Sequence, residues 1–342
     1  MSGVTQRRSR RHLDGLLLLD KPSGVTSNGA LQRVKWLYQA RKAGHTGSLD
    51  PLASGMLPIC FGEATKFAGY LLDANKTYRV QARFGIRTDT GDAEGQPVEQ
   101  SNAPGPTPAA MEVALASLRG PIQQVPPMYS ALKVQGQRLY ALARAGKEVP
   151  RAPRPVHIHE FVLETYDPET PVFRVECTKG TYIRTLIEDL AAQLGTLAHV
   201  VALRRLSVGP FSEEAMVDLA ALEAVVTPSG ADGGPPAGDD ACYRSSAQVG
   251  ILDAFLKPLD AVLPEWPMVE LEAALAVKIS QGATVNVPVT AVSAGPVRIY
   301  SPGRQFLGIG DLEPGGRRVA RRLVASKSVI PQTGCNSDRH MV

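Results

Sequence analysis

The chain has 342 residues, too many for one small domain and enough for a sizeable core with a second unit appended. With 44% hydrophobic and 20% charged residues it falls outside the fibrous, low-complexity and wholly disordered classes, and no apolar run is long enough to span a bilayer. The net charge of +4 is segregated, with six basic groups in 127–156 against Glu148, seven in 298–327 against Asp311 and Glu313, and twelve acidic groups in 212–272 against Arg244 and Lys257, which suits a polyanion held on one side or, equally, two solvated faces.

Taken in order, 1–12 is a basic arm (Arg7, Arg8, Arg10, Arg11) with no signal-type apolar core behind it, because the leucine run at 16–19 spans only four residues. That run reads as a short buried strand, followed by a turn at Asp20-Lys21-Pro22-Ser23-Gly24. Thr26 or Ser27 caps a helix with Ala30, Leu31, Val34, Leu37 and Tyr38 on one face. Next, in 44–55, three glycines bracket His45 and Asp50. Gly44 and Gly47 permit backbone angles closed to other residues, and Pro51 biases Asp50 towards an extended conformation. Such a loop can hold one carboxylate open as a nucleophile or general base. Taken alone, however, Asp-Pro reads more simply as a helix N-cap with proline in the first turn.

Residues 76–86 alternate cleanly, with Tyr78, Val80, Ala82, Phe84 and Ile86 on one side, and predict a half-buried strand. A turn rich in Asp, Thr and Gly follows at 88–95, then a helix that starts at Thr107-Pro108 and closes at Gly120. Residues 121–155 combine basic groups, Tyr129, Tyr140 and three prolines at 150, 153 and 155, and read as an excursion from the sheet. Strands are expected at 156–164, 172–178 and 200–208. Between the last two lies a helix from Ile183 whose apolar stripe leaves Arg184 to one side. Residues 227–247 are Gly, Pro, Asp and Ser rich and lack the apolar content to pack. From 265 onward short strands predict a separate small β-barrel, with a loose tail at 327–342.

Several of these stretches, read together, resemble the bacterial tRNA pseudouridine-55 synthases of the TruB type. The matching motifs are Leu19-Asp20-Lys21-Pro22-x-Gly24-x-Thr26-Ser27, Gly44-His45-Thr46-Gly47-x-Leu49-Asp50-Pro51-x-Ala53-x-Gly55, Gly62-Glu63-Ala64-Thr65-Lys66 and Lys76-x-Tyr78. Further on come Gln124-Val125-Pro126-Pro127-Met128-Tyr129-Ser130-Ala131-Leu132-Lys133, Lys179-Gly180-Thr181-Tyr182-Ile183-Arg184 and His199-Val200-x-x-Leu203-Arg204-Arg205. Each alone is weak; in this order along most of the chain they are specific. The C-terminal stretch resembles an RNA-binding PUA domain more weakly, through 306–310 and Arg321-Arg322-Leu323. The insert at 227–247 departs from the family but lies between motifs.

The resemblance implies isomerisation of uridine 55 in the tRNA T-loop to pseudouridine, with Asp50 as the catalytic carboxylate and Arg184 as its ion-pair partner. The plain alternative for Arg184 is a surface i, i+4 pair with Glu188. It further implies that His45 fills the space left by a flipped base, that Tyr78 stacks on that base, and that Tyr182 and Leu203 line the uracil pocket. For His45, Tyr78 and Leu203, a turn hydrogen bond or ordinary core packing is the competing reading. Lys21 and Pro22 are expected to support the loop, and Lys133, Arg138, Arg144 and Arg154 to clamp the RNA. No metal, nucleotide or redox cofactor is expected. Cys60 and Cys177 read as core residues, and His157 with His159 as surface or RNA-facing groups. The four cysteines have no paired spacing, which points to reduced thiols in a cytoplasmic protein.

The expected architecture is α+β, with a mixed, mainly antiparallel sheet flanked by helices. The catalytic domain is placed at 13–262, with the clamping insertion at 121–155, and a PUA-like domain at 265–326. The expected partner is tRNA through its T-arm, with no membrane, no obligate protein partner and a monomeric chain. Two other readings stay open: a tRNA-folding factor whose modification activity is incidental, and a synthase of the same fold acting on another RNA.

Overall fold

The computed structural model describes residues 10–130, 132–134, 136–226, 244–286, 294–313 and 317–324. Residues 1–9 of the expected basic arm, most of the 227–247 insert and the tail from 327 lie outside the described residues. The chain divides into two compact units, Met1–Pro258 and Leu259–Val342.

The first unit contains β1 (Gly15–Lys21), α1 (Ser27–Leu37), β2 (Ala43–His45), β3 (Ser54–Phe61), α2 (Ala68–Asp73), β4 (Lys76–Phe84), β5 (Ile86–Thr88), β6 (Pro97–Gln100), α3 (Pro108–Ser117) and β7 (Gly120–Gln124). It continues with β8 (Lys133–Val134), β9 (Gln137–Arg138), α4 (Leu139–Arg144), β10 (Arg154–Thr165), β11 (Val172–Cys177), α5 (Ile183–Gln193), β12 (Ala198–Val208), β13 (Val217–Asp218), α6 (Leu219–Val226) and α7 (Ser246–Ala254). Nine strands form one sheet, in the order β13-β1-β3-β12-β4-β11-β10-β7 with β2 paired to β3. The β1–β13 and β3–β12 pairs are parallel and the others antiparallel. The sheet is therefore mixed and mainly antiparallel, as the sequence predicts.

Local chemistry accounts for most of these elements. The Thr26 hydroxyl accepts from Gly29 N at 3.0 Å to cap α1, and Thr107 caps α3 in the same way with Pro108 in its first turn. In β4, Tyr78, Val80, Ala82 and Phe84 are buried while Arg79 and Arg83 are exposed, the period-two pattern of a sheet with one wet face. Two cores result. One packs α3 and α5 against β4, β10, β11 and β12; the other packs α1, α6 and α7 against β1 and β3. The loop at 46–53 joins them, because Leu49 and Ala53 belong to the first core and Leu57, Ile59 and Phe61 of the following strand to the second.

The structure revises or decides three local readings. The segment after Asp50 is not a helix start: Ala53 N donates to Asp50 O at 3.1 Å in a tight turn, and the chain enters β3 directly. Residues 120–124 form β7, paired in register with β10 from Arg154 onward, so the excursion from the sheet runs over 125–153. Arg184, beside the apolar stripe of α5, is buried, with 6% of its side chain exposed, and is not the surface partner of Glu188 that the plain alternative proposes.

The strands β3 and β12 meet in a ladder of two registered pairs, Arg204 with Ser54 and Arg205 with Gly55. Gly55 has φ +97°, and a Cβ there would lie 2.3 Å from Arg205 O and 2.8 Å from Arg205 N. Gly55→Ala adds both steric overlap and backbone strain at this seam. It is expected to destabilise the unit by about 3 kcal/mol or more, read as a lower urea midpoint at unchanged slope.

The second unit is a five-stranded sheet of β14 (Met268–Glu270), β15 (Val285–Asn286), β16 (Gly295–Tyr300), β17 (Phe306–Leu312) and β18 (Arg317–Leu323), in the order β14-β16-β17-β18-β15. A helix that the strand-rich pattern conceals, α8 (Ala273–Ser280), packs Ala276 and Ile279 on Val285, Val297, Ile299 and Leu307.

Candidate active site

The site rests on the loop at 46–53, and the segment from the end of β1 to the start of α1 braces that loop. The Ser27 hydroxyl accepts from Leu49 N at 2.7 Å and donates to Leu49 O at 2.9 Å. Gly24 N donates to Pro51 O at 2.8 Å, and Ser23 Oγ to Leu52 O at 2.8 Å. Lys21 is fully buried, and its Nζ donates to Val25 O at 2.6 Å, Pro22 O at 2.8 Å and Pro51 O at 3.4 Å. Burial lowers its pKa to about 8, opposed by the Asp50 charge. Backbone carbonyls thus occupy the ammonium, and the opening motif holds residues 49–52 from four points.

Asp50 projects from this braced loop onto α5. Its Oδ2 lies 3.0 Å from Arg184 Nε, and its side chain keeps 44% exposure while that of Arg184 keeps 6%. The rest of the guanidinium is also engaged. It lies 3.5 Å from Asp92 Oδ2 through Nη1, which also donates to Thr90 O at 2.6 Å, and Nη2 donates to Tyr129 O at 2.8 Å. Asp92 is itself buried and accepts from Thr90 Oγ1 at 2.6 Å and Glu94 N at 3.1 Å. One cation therefore holds an open carboxylate and a buried one. The Asp50 carboxyl sits above its ordinary range: desolvation raises it most, Arg184 lowers it, Asp92 raises it and Lys21 lowers it. Its wide exposure to water tempers the burial effect, and the aligned guanidinium favours the ionised form.

Aromatic and apolar groups surround the pair. Tyr78 is buried on β4, and Leu203 of β12 lies in the same core cluster as Tyr78, Leu49 and Ala53. Burial raises the Tyr78 phenol, and the adjacent Arg205 cation pulls it back. Tyr182 stands at the N-cap of α5, where its backbone N donates to Gln124 Oε1 at 2.7 Å and its O accepts from Gln124 Nε2 at 3.0 Å. His45, at the end of β2, is half-buried with Nδ1 enclosed and unpartnered; burial, then Arg205, lower its pKa, so the ring is neutral at neutral pH. Of the clamp residues, Arg144 lies over the Tyr140 ring at 5.6 Å and is exposed, as is Arg154 at the start of β10. The side chains of Lys133 and Arg138 lie outside the described residues.

Sequence reasoning missed three members of this arrangement. Asp92 looks like a turn residue in Thr88–Gly95 because its partner, Arg184, is 92 positions away. Gln124 and Arg205 stand inside quoted motifs but gave no local sign of their contacts. Cys60 and Cys177 are buried, with thiols pushed up to about 12 and about 11, too high for a nucleophile. The rings of His157 and His159 lie 4.6 Å apart on β10.

A mixed sheet thus presents an open aspartate on a glycine loop to a helix-borne arginine. The solved archaeal box H/ACA sRNP Nop10–Cbf5 complex aligns with a TM-score of 0.63 over 93% of this chain and 88% of that chain, at 22% identity, a likeness of fold alone. Residues 35–183 match the TruB family pseudouridylate synthase N-terminal domain, 184–264 the tRNA pseudouridylate synthase B C-terminal domain, and 267–324 the pseudouridine synthase II TruB C-terminal domain. The tRNA pseudouridine synthase B of Ectopseudomonas mendocina is 48% identical over 318 residues, covering 93% of this chain and 97% of that protein. The enzyme of the same name from Nitrosococcus oceani is 48% identical over 324 residues, covering 94% and 99%. The chain belongs to the TruB family.

Proposed function

We propose that this chain converts uridine 55 in the T-loop of tRNA to pseudouridine, with Asp50 as the reacting carboxylate. The observation that carries the proposal is the open Asp50 carboxylate paired at 3.0 Å with the buried Arg184. The reaction exchanges the C1′–N1 bond for a C1′–C5 bond. C5 gives up its hydrogen as a proton and N1 gains one, so atoms and electrons balance without an oxidant, reductant or co-substrate. A stacked uridine cannot reach a carboxylate on a protein loop, so the base leaves the RNA stack. His45 then fills the gap, Tyr78 stacks on the flipped ring, and Tyr182 with Leu203 encloses the uracil. Lys21 and Pro22 keep the loop in place from the side away from the RNA. The relatives' name, tRNA pseudouridine synthase B, supports tRNA as substrate. The chain acts as a monomer in the cytoplasm, with no obligate protein partner.

An isolated T-arm stem-loop carrying tritium at C5 of its uridines tests this reading. Conversion releases tritium to water from one uridine, at position 55; no release from a stem-loop that the protein binds would contradict it. If Asp50→Asn abolishes release and still supplies the protein's role in cells, RNA folding is the main work.

Four clamp cations, Lys133, Arg138, Arg144 and Arg154, are proposed to neutralise phosphates of the T-arm. With about 0.8 counterions released per phosphate, affinity is expected to fall roughly 100-fold between 50 and 200 mM salt. A filter-binding series that changes less than threefold would remove the clamp from the account.

A further inference from the structure

Arg205 is among the largest fully buried side chains, at 1% exposure, yet among the described residues no carboxylate pairs with it. A buried guanidinium without a counter-charge is costly unless its donors are aligned on fixed acceptors. Those acceptors are backbone carbonyls of the segment that carries Asp50. Nε donates to Met56 O at 2.6 Å and Nη2 to Gly47 O at 3.0 Å. Gly47 has φ +80°, and a Cβ there would meet Arg205 Nη1 at 3.6 Å, so the guanidinium lies directly under the loop. In the sheet, Arg205 is registered with Gly55 on one side and with Tyr78 on the other. Residues directly opposite in neighbouring strands share a face, and the Arg205 cation acts on the Tyr78 phenol from there.

We propose that Arg205 is a positioning residue that sets Tyr78 and the Asp50 loop against one another. It touches neither the reacting carboxylate nor the substrate. Carried on β12 between β3 and β4, its planar fork fixes the distance between the ring that stacks on the base and the loop that carries the reacting oxygen. A lysine keeps the charge but offers one ammonium in place of the fork, so it cannot hold Met56 O, Gly47 O and the phenol together. The inference rests on the functional reading above, in which Tyr78 contacts the flipped base.

The test is Arg205→Lys, assayed on the T-arm stem-loop under single-turnover and binding conditions. The turnover rate is expected to fall about 10- to 100-fold, the scale of one lost charge-assisted contact, with RNA affinity within threefold. In a Tyr78→Phe background the same change is expected to cost at least threefold less, because the phenol is part of what Arg205 positions. Turnover within threefold of wild type, or effects of the two substitutions that simply multiply, would overturn the proposal. Should Arg205→Lys fail to fold, the folded Tyr78→Phe protein carries the test: the Arg205 guanidinium resonances in 15N NMR shift if the phenol is a partner, and unchanged resonances overturn it. Asp50→Asn is run alongside. Turnover in that variant would defeat the functional reading itself, whereas an inactive Asp50→Asn with a fully active Arg205→Lys defeats only this inference.

Discussion

Asp50→Asn is expected to lower the single-turnover rate by about 10⁴-fold or more while leaving tRNA affinity within a few-fold of wild type. The size follows from chemistry: an amide of the same shape cannot supply the charged oxygen that the rearrangement needs. Retention of fold follows from the neighbours. Without the Asp50 charge, Arg184 still has Asp92 at 3.5 Å and the carbonyls of Thr90 and Tyr129. The loop keeps its four braces from Lys21, Ser23, Gly24 and Ser27, none of which uses the Asp50 side chain. Equal thermal stability, equal binding and lost turnover together form the expected result. Residual turnover within a factor of ten of wild type would remove Asp50 from the chemistry.

Arg184→Lys is expected to lower turnover by about 100-fold and to move the acid limb of the pH–rate profile upward. The sign follows from the charges. In the proposed reaction Asp50 acts ionised, so the rate is expected to fall as pH drops through its pKa. That pKa is already raised by burial and by Asp92, and Arg184 is the leading influence that lowers it. A lysine at 184 offers one ammonium where the guanidinium serves Asp50, Asp92 and two carbonyls. The weakened cation lets the Asp50 pKa climb, so a higher pH is needed to reach the plateau. A limb that stays in place, or moves to lower pH, contradicts the pairing. Arg184→Met goes further, leaving Asp92 buried without its cation. It is expected to destabilise the unit by about 3–5 kcal/mol, which makes lysine the cleaner kinetic probe.

What could be read from the sequence divides by the range of the interaction. Elements set by local chemistry were legible: the alternation in β4, the threonine caps of α1 and α3, and the apolar stripe of α5. The 50–53 segment misleads because Asp-Pro is locally a helix start, whereas β1 pairs with β3 along its whole length and pulls the chain straight into a strand. Asp50 and Arg184 were legible only through the company of the other motifs, since nothing in their own neighbourhoods says that they meet. Asp92 was illegible because its turn composition explains it fully until α5 is folded against it. Lys21 and Arg205 defeat pattern reading in another way. Charged residues in strands normally face water, and these two are buried because backbone carbonyls of the 47–56 segment and the turn beside it take up their donors. The helices α6, α7 and α8 are only eight or nine residues long, and α6 and α8 are apolar almost all round, which obscures the helical period.

The most direct measurement is nucleotide-resolution mapping of pseudouridine in an unmodified tRNA transcript after incubation with the purified protein. One new pseudouridine, at position 55 of the T-loop, is the predicted result. A transcript that stays unmodified at that uridine, or gains pseudouridine only elsewhere, would contradict the proposal that the open carboxylate of Asp50 meets the T-loop uridine.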